Sequence, residues 1–91
     1  MIITICGSKK FANHIYELQS TLRELGNTVY APMFNVDRPI DELVQVHRYK
    51  ILASDCIIVY NLNGYIGEHT KDEIKFADKF HKPIFYTDQL S

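Results

Sequence analysis

The fold is decided by the first 26 residues of the chain, which read MIITICGSKKFANHIYELQSTLRELG. Residues 1–6 are continuously apolar and rich in β-branched side chains, which is typical of a strand buried on both faces. Apolar residues then recur at spacings of three and four, which predicts an amphipathic helix that ends at Gly26. These residues are Phe11, Ile15, Leu18, Leu22 and Leu25. A buried strand followed at once by a helix is typical of a parallel α/β sheet.

The rest of the chain continues this alternation of strand and helix. Three further apolar runs predict strands, at residues 28–31, 56–60 and 83–86. Two further apolar stripes predict helices, and Asp41 can cap the first of them. The stripe residues are Leu43, Val44, Ile51 and Leu52 in one helix and Ile74, Ala77 and Phe80 in the other. Because such connections are right-handed, we expect one domain over residues 1–91. We expect this domain to have a three-layer, doubly wound, flavodoxin- or Rossmann-like α/β fold with four parallel strands in the order 2-1-3-4.

Composition and charge exclude several classes of protein. The chain has 91 residues and a formal net charge of −1, with basic and acidic residues interspersed. A size of this kind fits a single globular domain, and the absence of a basic arm argues against a nucleic-acid partner. No apolar run approaches the roughly 20 residues of a membrane helix. The N-terminal residues lack the basic leader of a signal peptide. We therefore expect a cytoplasmic protein without a membrane partner.

The two cysteines, Cys6 and Cys56, both lie inside predicted strands. Buried, reduced thiols of this kind fit a reducing compartment. Neither cysteine has a Cys or His companion at the spacing of a metal site. The sequence therefore predicts no metal and no cofactor.

A ligand in such a sheet binds beyond the carboxyl ends of the strands, where the strand order reverses. Here that crevice lies between strands one and three, so the loops Cys6–Lys10 and Asn61–Thr70 are the candidate site. In the first loop, the Ser8 hydroxyl, a lysine and the free amides of the helix start suit an anion such as phosphate. The alternative is purely structural, with Gly7 making the turn and Ser8 capping the helix.

Two residues near the crevice have both a chemical and a structural interpretation. Cys6 can be a nucleophile activated by the following helix N-terminus, as in phosphocysteine carriers, or a packed thiol. The arginine that a phosphatase loop needs before its helix is missing. Glu73 can be an active-site acid near the start of the third helix. It can equally form a capping box with Thr70, three residues before it.

Three segments of the chain resemble the nucleoside 2-deoxyribosyltransferase-like superfamily, which includes the nucleotide N-glycosidases. The first is Ile5-Cys6-Gly7-Ser8, together with residues 25–32. The second is Ser54-Asp55-Cys56-Ile57-Ile58-Val59-Tyr60-Asn61. The third, and most specific, runs from Gly64-Tyr65-Ile66-Gly67 through Thr70, Glu73-Ile74 and Phe76-Ala77 to Lys82-Pro83-Ile84.

The resemblance implies cleavage or transfer of the N-glycosidic bond of a (deoxy)nucleoside or nucleoside 5′-monophosphate. Glu73 would be the nucleophile that forms a covalent glycosyl-enzyme, which water or a second base resolves. Ser8, together with Lys9, would hold the 5′-phosphate, and Tyr65 would shield the ligand. The full set of expected substrate-binding residues is Cys6, Gly7, Ser8, Lys9, Asn61, Gly64, Tyr65, Gly67 and Thr70. The implied assembly is a homodimer.

One position departs from the family pattern. The family usually has an aspartate that orients the sugar near the end of the second helix, and here that place falls at His47. A histidine can hydrogen-bond a ribose hydroxyl or act as an acid or base, or it can be a half-buried residue without a role. The alternative function is a noncatalytic nucleotide-binding module on the same fold.

Overall fold

The computed structural model describes residues 1–89, and its centre is a sheet of four parallel strands. The chain runs through β1 (Ile2–Cys6), α1 (Ala12–Glu24), β2 (Thr28–Tyr30), α2 (Ile40–Ala53), β3 (Cys56–Val59), α3 (Glu68–Lys79) and β4 (Ile84–Tyr86). Short 3₁₀ turns occupy Lys9–Phe11, Leu62–Gly64 and Thr87–Gln89. The strand order is β2-β1-β3-β4, so the predicted α/β topology is confirmed.

Strand β1 occupies the centre of the sheet and pairs with both β2 and β3. Ile3 lies opposite Val29 on one side and Cys56 on the other, and Cys6 lies opposite Val59. Because successive side chains of a strand point to opposite faces, Ile3 and Cys6 belong to different layers of the core.

Helices cover both faces of the sheet, which makes the fold a three-layer structure. The face that packs against α1 has a core of Ile3, Ile5, Phe11, Ile15, Val29, Ala31, Cys56 and Ile58. The face that packs against α2 and α3 has a core of Cys6, Ile51, Ile57, Val59 and Ala77. The side chain of Cys6, at the carboxyl end of the central strand, therefore lies under α2 and α3.

Several details of the predicted elements are wrong. Helix α2 begins at Ile40, after Pro39, so Asp41 lies in its first turn and is not its cap. The backbone carbonyl of Pro39 already accepts the first helical hydrogen bonds, from Glu42 and Leu43. Three residues assigned to apolar stripes are exposed, namely Leu25, Leu52 and Phe80. Leu25 lies one residue past the end of α1. The apolar periodicity of the sequence therefore extends beyond the observed helix.

Each predicted strand is one residue longer than the observed one. Met1, Ala31, Tyr60 and Pro83 all lie just outside the strands. Among residues 1–89, no helix combines the length and the apolar character that crossing a membrane requires.

Candidate active site at the carboxyl edge of the sheet

A cavity of about 620 Å³ opens at the carboxyl edge of the sheet. Its walls come from residues 7–9 after β1, residues 32–38 after β2, the first half of α2, and residues 65–73 around the start of α3. The crevice between β1 and β3 that the sequence predicted is therefore part of a wider cavity. A volume of this size is within the range of small-molecule sites.

Gly7 allows the first loop to pass close to α1. A Cβ atom at Gly7 would lie 2.6 Å from Ile15 Cδ1 and 3.3 Å from Tyr60 Cβ. Both distances are shorter than ordinary carbon–carbon contacts. Glycine at this position therefore lets Ile15 pack under the loop and leaves the next residue, Ser8, at the cavity wall.

Ser8 caps the short 3₁₀ turn before α1 and not α1 itself, whose cap residue is Phe11. Its Oγ accepts a hydrogen bond of 3.2 Å from the Lys10 amide, and its carbonyl accepts one of 2.9 Å from the Phe11 amide. These bonds cap the 3₁₀ turn that precedes α1. Ser8 also lines the cavity, where its hydroxyl hydrogen remains available to a ligand. The capping interpretation therefore does not exclude ligand binding.

Tyr65 connects the first loop to the third at the rim of the cavity. Its ring meets the Phe11 ring edge-on with the centroids 5.8 Å apart, and Lys10 Nζ lies 4.4 Å from its centroid. The side chain is still exposed to solvent and lines the cavity. A tyrosine in this position presents a ring against which a planar ligand can pack.

Glu73 lies in the second turn of α3, away from the helix end. The helix begins at Glu68 with Gly67 as its cap residue, and no side chain forms a capping hydrogen bond. The predicted capping box of Thr70 and Glu73 is therefore wrong, because the helix starts three residues earlier than that pattern requires. Thr70 is buried in the helix and lines the cavity.

The Glu73 carboxylate instead contacts a histidine from α2. His47 Nε2 lies 2.6 Å from Glu73 Oε2, and the side chains are 9% and 18% exposed. His47 Nδ1 is buried and has no hydrogen-bond partner among residues 1–89. The geometry fits an imidazole that carries its proton on Nε2 and donates it to the carboxylate, with a bare lone pair on Nδ1.

Cys6 lies beneath this pair, fully buried and outside the cavity lining. Its Sγ is 3.6 Å from His47 Nε2, the same nitrogen that contacts Glu73. Burial, and secondarily the negative charge of Glu73, raise the pKa of the Cys6 thiol well above its usual value. In a Cys–His–acid triad the acid contacts the other imidazole nitrogen, and the thiolate is the reactive form. The arrangement therefore disfavours a phosphocysteine carrier.

Both signs of charge surround the cavity. Lys9, Arg38 and Arg48 supply cations to its walls, and Glu68 and Asp72 supply acids in addition to Glu73. Arg38 forms an exposed ion pair of 3.6 Å with Glu42. Exposed pairs of this kind are weak, so the guanidinium can turn toward an anionic ligand at little cost.

Three residues expected to bind substrate do not line the cavity, namely Asn61, Gly64 and the fully buried Cys6. Asn61 is buried, and its Oδ1 accepts hydrogen bonds of 3.2 Å from both Thr87 Oγ1 and the Asp88 amide. It joins the end of β3 to the segment after β4 and does not line the cavity. Gly64 sits in the 3₁₀ turn with a φ of 77°, and nothing lies within 4 Å of where its Cβ would be. Its role is conformational.

The loop after β2, residues 32–38, forms one wall of the cavity and was not predicted to belong to the site. Met33 and Val36 each leave about two-fifths of their surface exposed there. One signal could have identified this loop, because it follows the carboxyl end of a parallel strand at the same edge as the other two. Apolar side chains exposed at a cavity mouth are suited to contact the planar face of a ligand.

No protein-family model matches the chain, and no curated protein sequence matches it either. The geometry of the site therefore carries the functional inference. A partly buried carboxylate, held by a histidine in a cavity whose walls carry both signs of charge, is suited to attack an electrophilic carbon or to stabilise positive charge beside it.

Proposed function

We propose that the protein cleaves or transfers the N-glycosidic bond of a (deoxy)nucleoside or nucleoside 5′-monophosphate, with Glu73 as the nucleophile. One observation carries the proposal. The Glu73 carboxylate lies in the cavity wall, 18% exposed and in contact with His47, and takes no part in capping its helix. The resemblance of the surrounding sequence to the deoxyribosyltransferase-like enzymes adds support.

The chemistry follows from a carboxylate facing a sugar. A Glu73 oxygen forms a bond to C1′ while the bond between C1′ and the base nitrogen breaks, through a transition state with oxocarbenium character. The base leaves with the electron pair of that bond and takes up a proton. Water, or the nitrogen of a second base, then attacks C1′ and releases the Glu73 carboxylate unchanged. Water completes a hydrolysis and the second base completes a transfer.

His47 serves the nucleophile in this proposal. By donating Nε2–H to Oε2, it fixes the carboxylate and leaves Oε1 as the oxygen for attack. Fixing a reacting group in a productive orientation removes part of the entropic barrier. This role differs from the sugar contact that the resemblance implied for the residue at this position.

Ser8 and Lys9 are the proposed contacts for a 5′-phosphate. Ser8 offers a hydroxyl donor and Lys9 an exposed ammonium group, and both line the cavity. Charge-assisted hydrogen bonds of this kind favour a monophosphate over an uncharged nucleoside.

The test is release of free base from a panel of nucleosides and nucleoside 5′-monophosphates, measured by liquid chromatography. Glu73→Gln keeps the size of the side chain and removes the nucleophile, so we expect at least about a 1000-fold loss of rate. Glu17→Gln, an exposed change on α1, is the matched control and should keep full activity. Base release that survives in Glu73→Gln would contradict the assignment of the nucleophile.

The second candidate function is a noncatalytic nucleotide-binding module. The observation in its favour is that His47 already satisfies one oxygen of Glu73 without a ligand. This function predicts that nucleotides raise the melting temperature while no base appears in the chromatogram. The same panel of compounds therefore separates the two candidates.

The proposed setting is a cytoplasmic homodimer. Both cysteines are free thiols, which suits a reducing compartment. Phe80 and Phe85 are each 45% exposed, and a second copy of the chain would cover such apolar surface. Analytical ultracentrifugation of the protein and of Phe85→Ser measures the assembly. An unchanged monomer in both samples would contradict the dimer.

A further inference from the structure

Three side chains that can ligate a transition metal meet at and just beneath the cavity wall. Single ligand atoms of Cys6, His47 and Glu73 lie within 4.8 Å of one another. They come from three elements, the end of β1, the middle of α2 and the second turn of α3. Cys6 and His47 are 41 positions apart, so no short metal-binding motif exists in the sequence.

The distances suit a tetrahedral ion after one small adjustment. Zinc bonds of about 2.3 Å to sulfur and about 2.05 Å to nitrogen place those two ligands roughly 3.6 Å apart. Cys6 Sγ and His47 Nε2 are 3.6 Å apart. The corresponding nitrogen–oxygen separation is about 3.4 Å, whereas the hydrogen-bonded pair is 2.6 Å apart. A rotation of the Glu73 side chain, which lies at the open side of the cluster, supplies the difference.

The charges of the three ligands also match a divalent ion. A thiolate, a carboxylate and a neutral imidazole carry a total charge of −2, so the loaded site is neutral and avoids an uncompensated buried charge. On binding, the Cys6 proton leaves to solvent, and the imidazole proton moves from Nε2 to Nδ1. The sulfur, nitrogen and oxygen set is the mixture that zinc accepts, whereas magnesium and calcium prefer oxygen alone.

We propose that Cys6, His47 and Glu73 bind one zinc ion, with the fourth position open to the cavity, and that the bound ion blocks glycosidic cleavage. The inhibition rests on the proposed function, because Glu73 cannot coordinate the ion and attack C1′ at the same time. The binding itself does not depend on that function. Entry is through the cavity, which both His47 and Glu73 line.

Titration of the full chain with cobalt(II), a spectroscopic substitute for zinc, tests the binding. We expect one equivalent to produce a thiolate charge-transfer band in the near ultraviolet and strong visible bands of a tetrahedral ion. Zinc should abolish both by competition. The chain supplies a matched control, since Cys56 is a second buried cysteine outside the cluster. Cys56→Ala should keep the bands and Cys6→Ala should lose the charge-transfer band.

Equilibrium dialysis with zinc gives the affinity independently. Cys6→Ala and His47→Ala should each weaken the affinity for zinc by at least about 100-fold. The loss of a residue that only orients a metal ligand typically weakens affinity by about 10- to 100-fold. Glu73→Gln should also weaken the affinity for zinc. Because glutamine has the same size as glutamate, this variant tests the site without the risk that a truncated side chain prevents folding. Cobalt spectra without a thiolate band, or equal affinity in Cys6→Ala and the wild type, would overturn the proposed site.

The inhibition has a separate readout. Zinc should suppress base release at one equivalent, and a chelator should restore it. A zinc-loaded enzyme that keeps its full rate overturns the inhibition. Metal-free protein that releases no base contradicts the proposed glycosidase, and the cobalt spectrum still decides whether the site exists.

Discussion

His47 Nε2 lies 2.6 Å from Glu73 Oε2 and joins the middle of α2 to the second turn of α3. Both side chains line the cavity, and both are largely shielded from solvent. A hydrogen bond between shielded groups is stronger than one in bulk water. The contact therefore restricts the carboxylate at the place where a sugar would meet it.

Replacement of His47 distinguishes a residue that positions Glu73 from one that binds the sugar. For His47→Ala we expect kcat to fall by about 10- to 100-fold with little change in KM, because the lost contact is to the nucleophile. His47→Asn keeps an N–H donor and should recover part of the rate. Steady-state kinetics of base release measure both parameters. A rise in KM at constant kcat would instead indicate that the imidazole contacts substrate.

Changes at Ser8 and Lys9 test the proposed phosphate contact. Ser8→Ala and Lys9→Ala should each raise KM for a nucleoside 5′-monophosphate by about tenfold, which corresponds to ~1.4 kcal/mol. The KM for the matching nucleoside should stay constant. Lys75→Ala removes an exposed lysine on α3 that does not line the cavity and controls for the loss of charge. Equal effects on both substrates would place the phosphate elsewhere.

The topology of the sheet could be predicted because it depends on local patterns. Each strand is a run of apolar and β-branched residues, and the apolar stripes of α1 and α3 have their buried residues, such as Ile15 and Ala77, at the predicted places. The edge of the sheet that holds the site follows from the same topology. The loop of Ser8 and the residues before Glu73 were therefore identified without a structure.

The contacts within the site could not be predicted, because they depend on how α2 sits against α3. His47 and Glu73 are 26 positions apart, and the sequence carries no signal that their side chains meet. The role of Asn61 was hidden for a similar reason, since its partners Thr87 and Asp88 follow the next strand. The position of the α3 start, and with it the error about the capping box, depends on Gly67, which lacks a capping side chain.

Asn61 should contribute to stability and not to binding. Asn61→Ala removes an acceptor from the Thr87 hydroxyl and the Asp88 amide, so we expect the free energy of unfolding to fall by about 1–3 kcal/mol. The KM of every substrate should stay constant. Urea denaturation gives the stability, with the exposed Asn13→Ala on α1 as control. A folded, equally stable variant with a raised KM would restore the substrate-binding interpretation.

Two glycines that line the cavity should differ in their tolerance of a methyl group. Gly7→Ala places a Cβ 2.6 Å from Ile15 Cδ1, and overpacking of this kind costs about 1–3 kcal/mol. At Gly67 the nearest atom is Ser8 Cβ at 3.7 Å, and the φ of −72° suits any residue. Gly67→Ala should therefore keep its melting temperature within a few degrees. Equal destabilisation of the two variants, measured by thermal unfolding, would contradict the close packing at Gly7.

Cys6 should make the stability of the protein depend on pH in the alkaline range. Burial, together with the charge of Glu73, raises the pKa of the Cys6 thiol in the folded state. The unfolded chain releases this proton near about pH 8.5, whereas the folded chain retains it. The unfolded state then binds fewer protons, so the free energy of unfolding falls as pH rises, by at most ~1.4 kcal/mol per pH unit. Below that pH the contribution of the neutral thiol is complete.

Cys6→Ala also changes packing, which alters the free energy of unfolding at every pH. The effect of the thiol is therefore isolated by comparing how steeply the free energy of unfolding falls with pH in the variant and in the wild type. Urea denaturation at several values between pH 7 and 10 should give a smaller slope for Cys6→Ala than for the wild type. Cys56→Ala is the control, because burial and the charge of Asp55 also raise the pKa of that thiol, but by less than at the fully buried Cys6. Cys56→Ala should therefore reduce the pH dependence of the free energy of unfolding by less than Cys6→Ala does. If Cys6→Ala and the wild type lose stability in parallel above pH 8.5, the thiol is not the group that the fold keeps protonated.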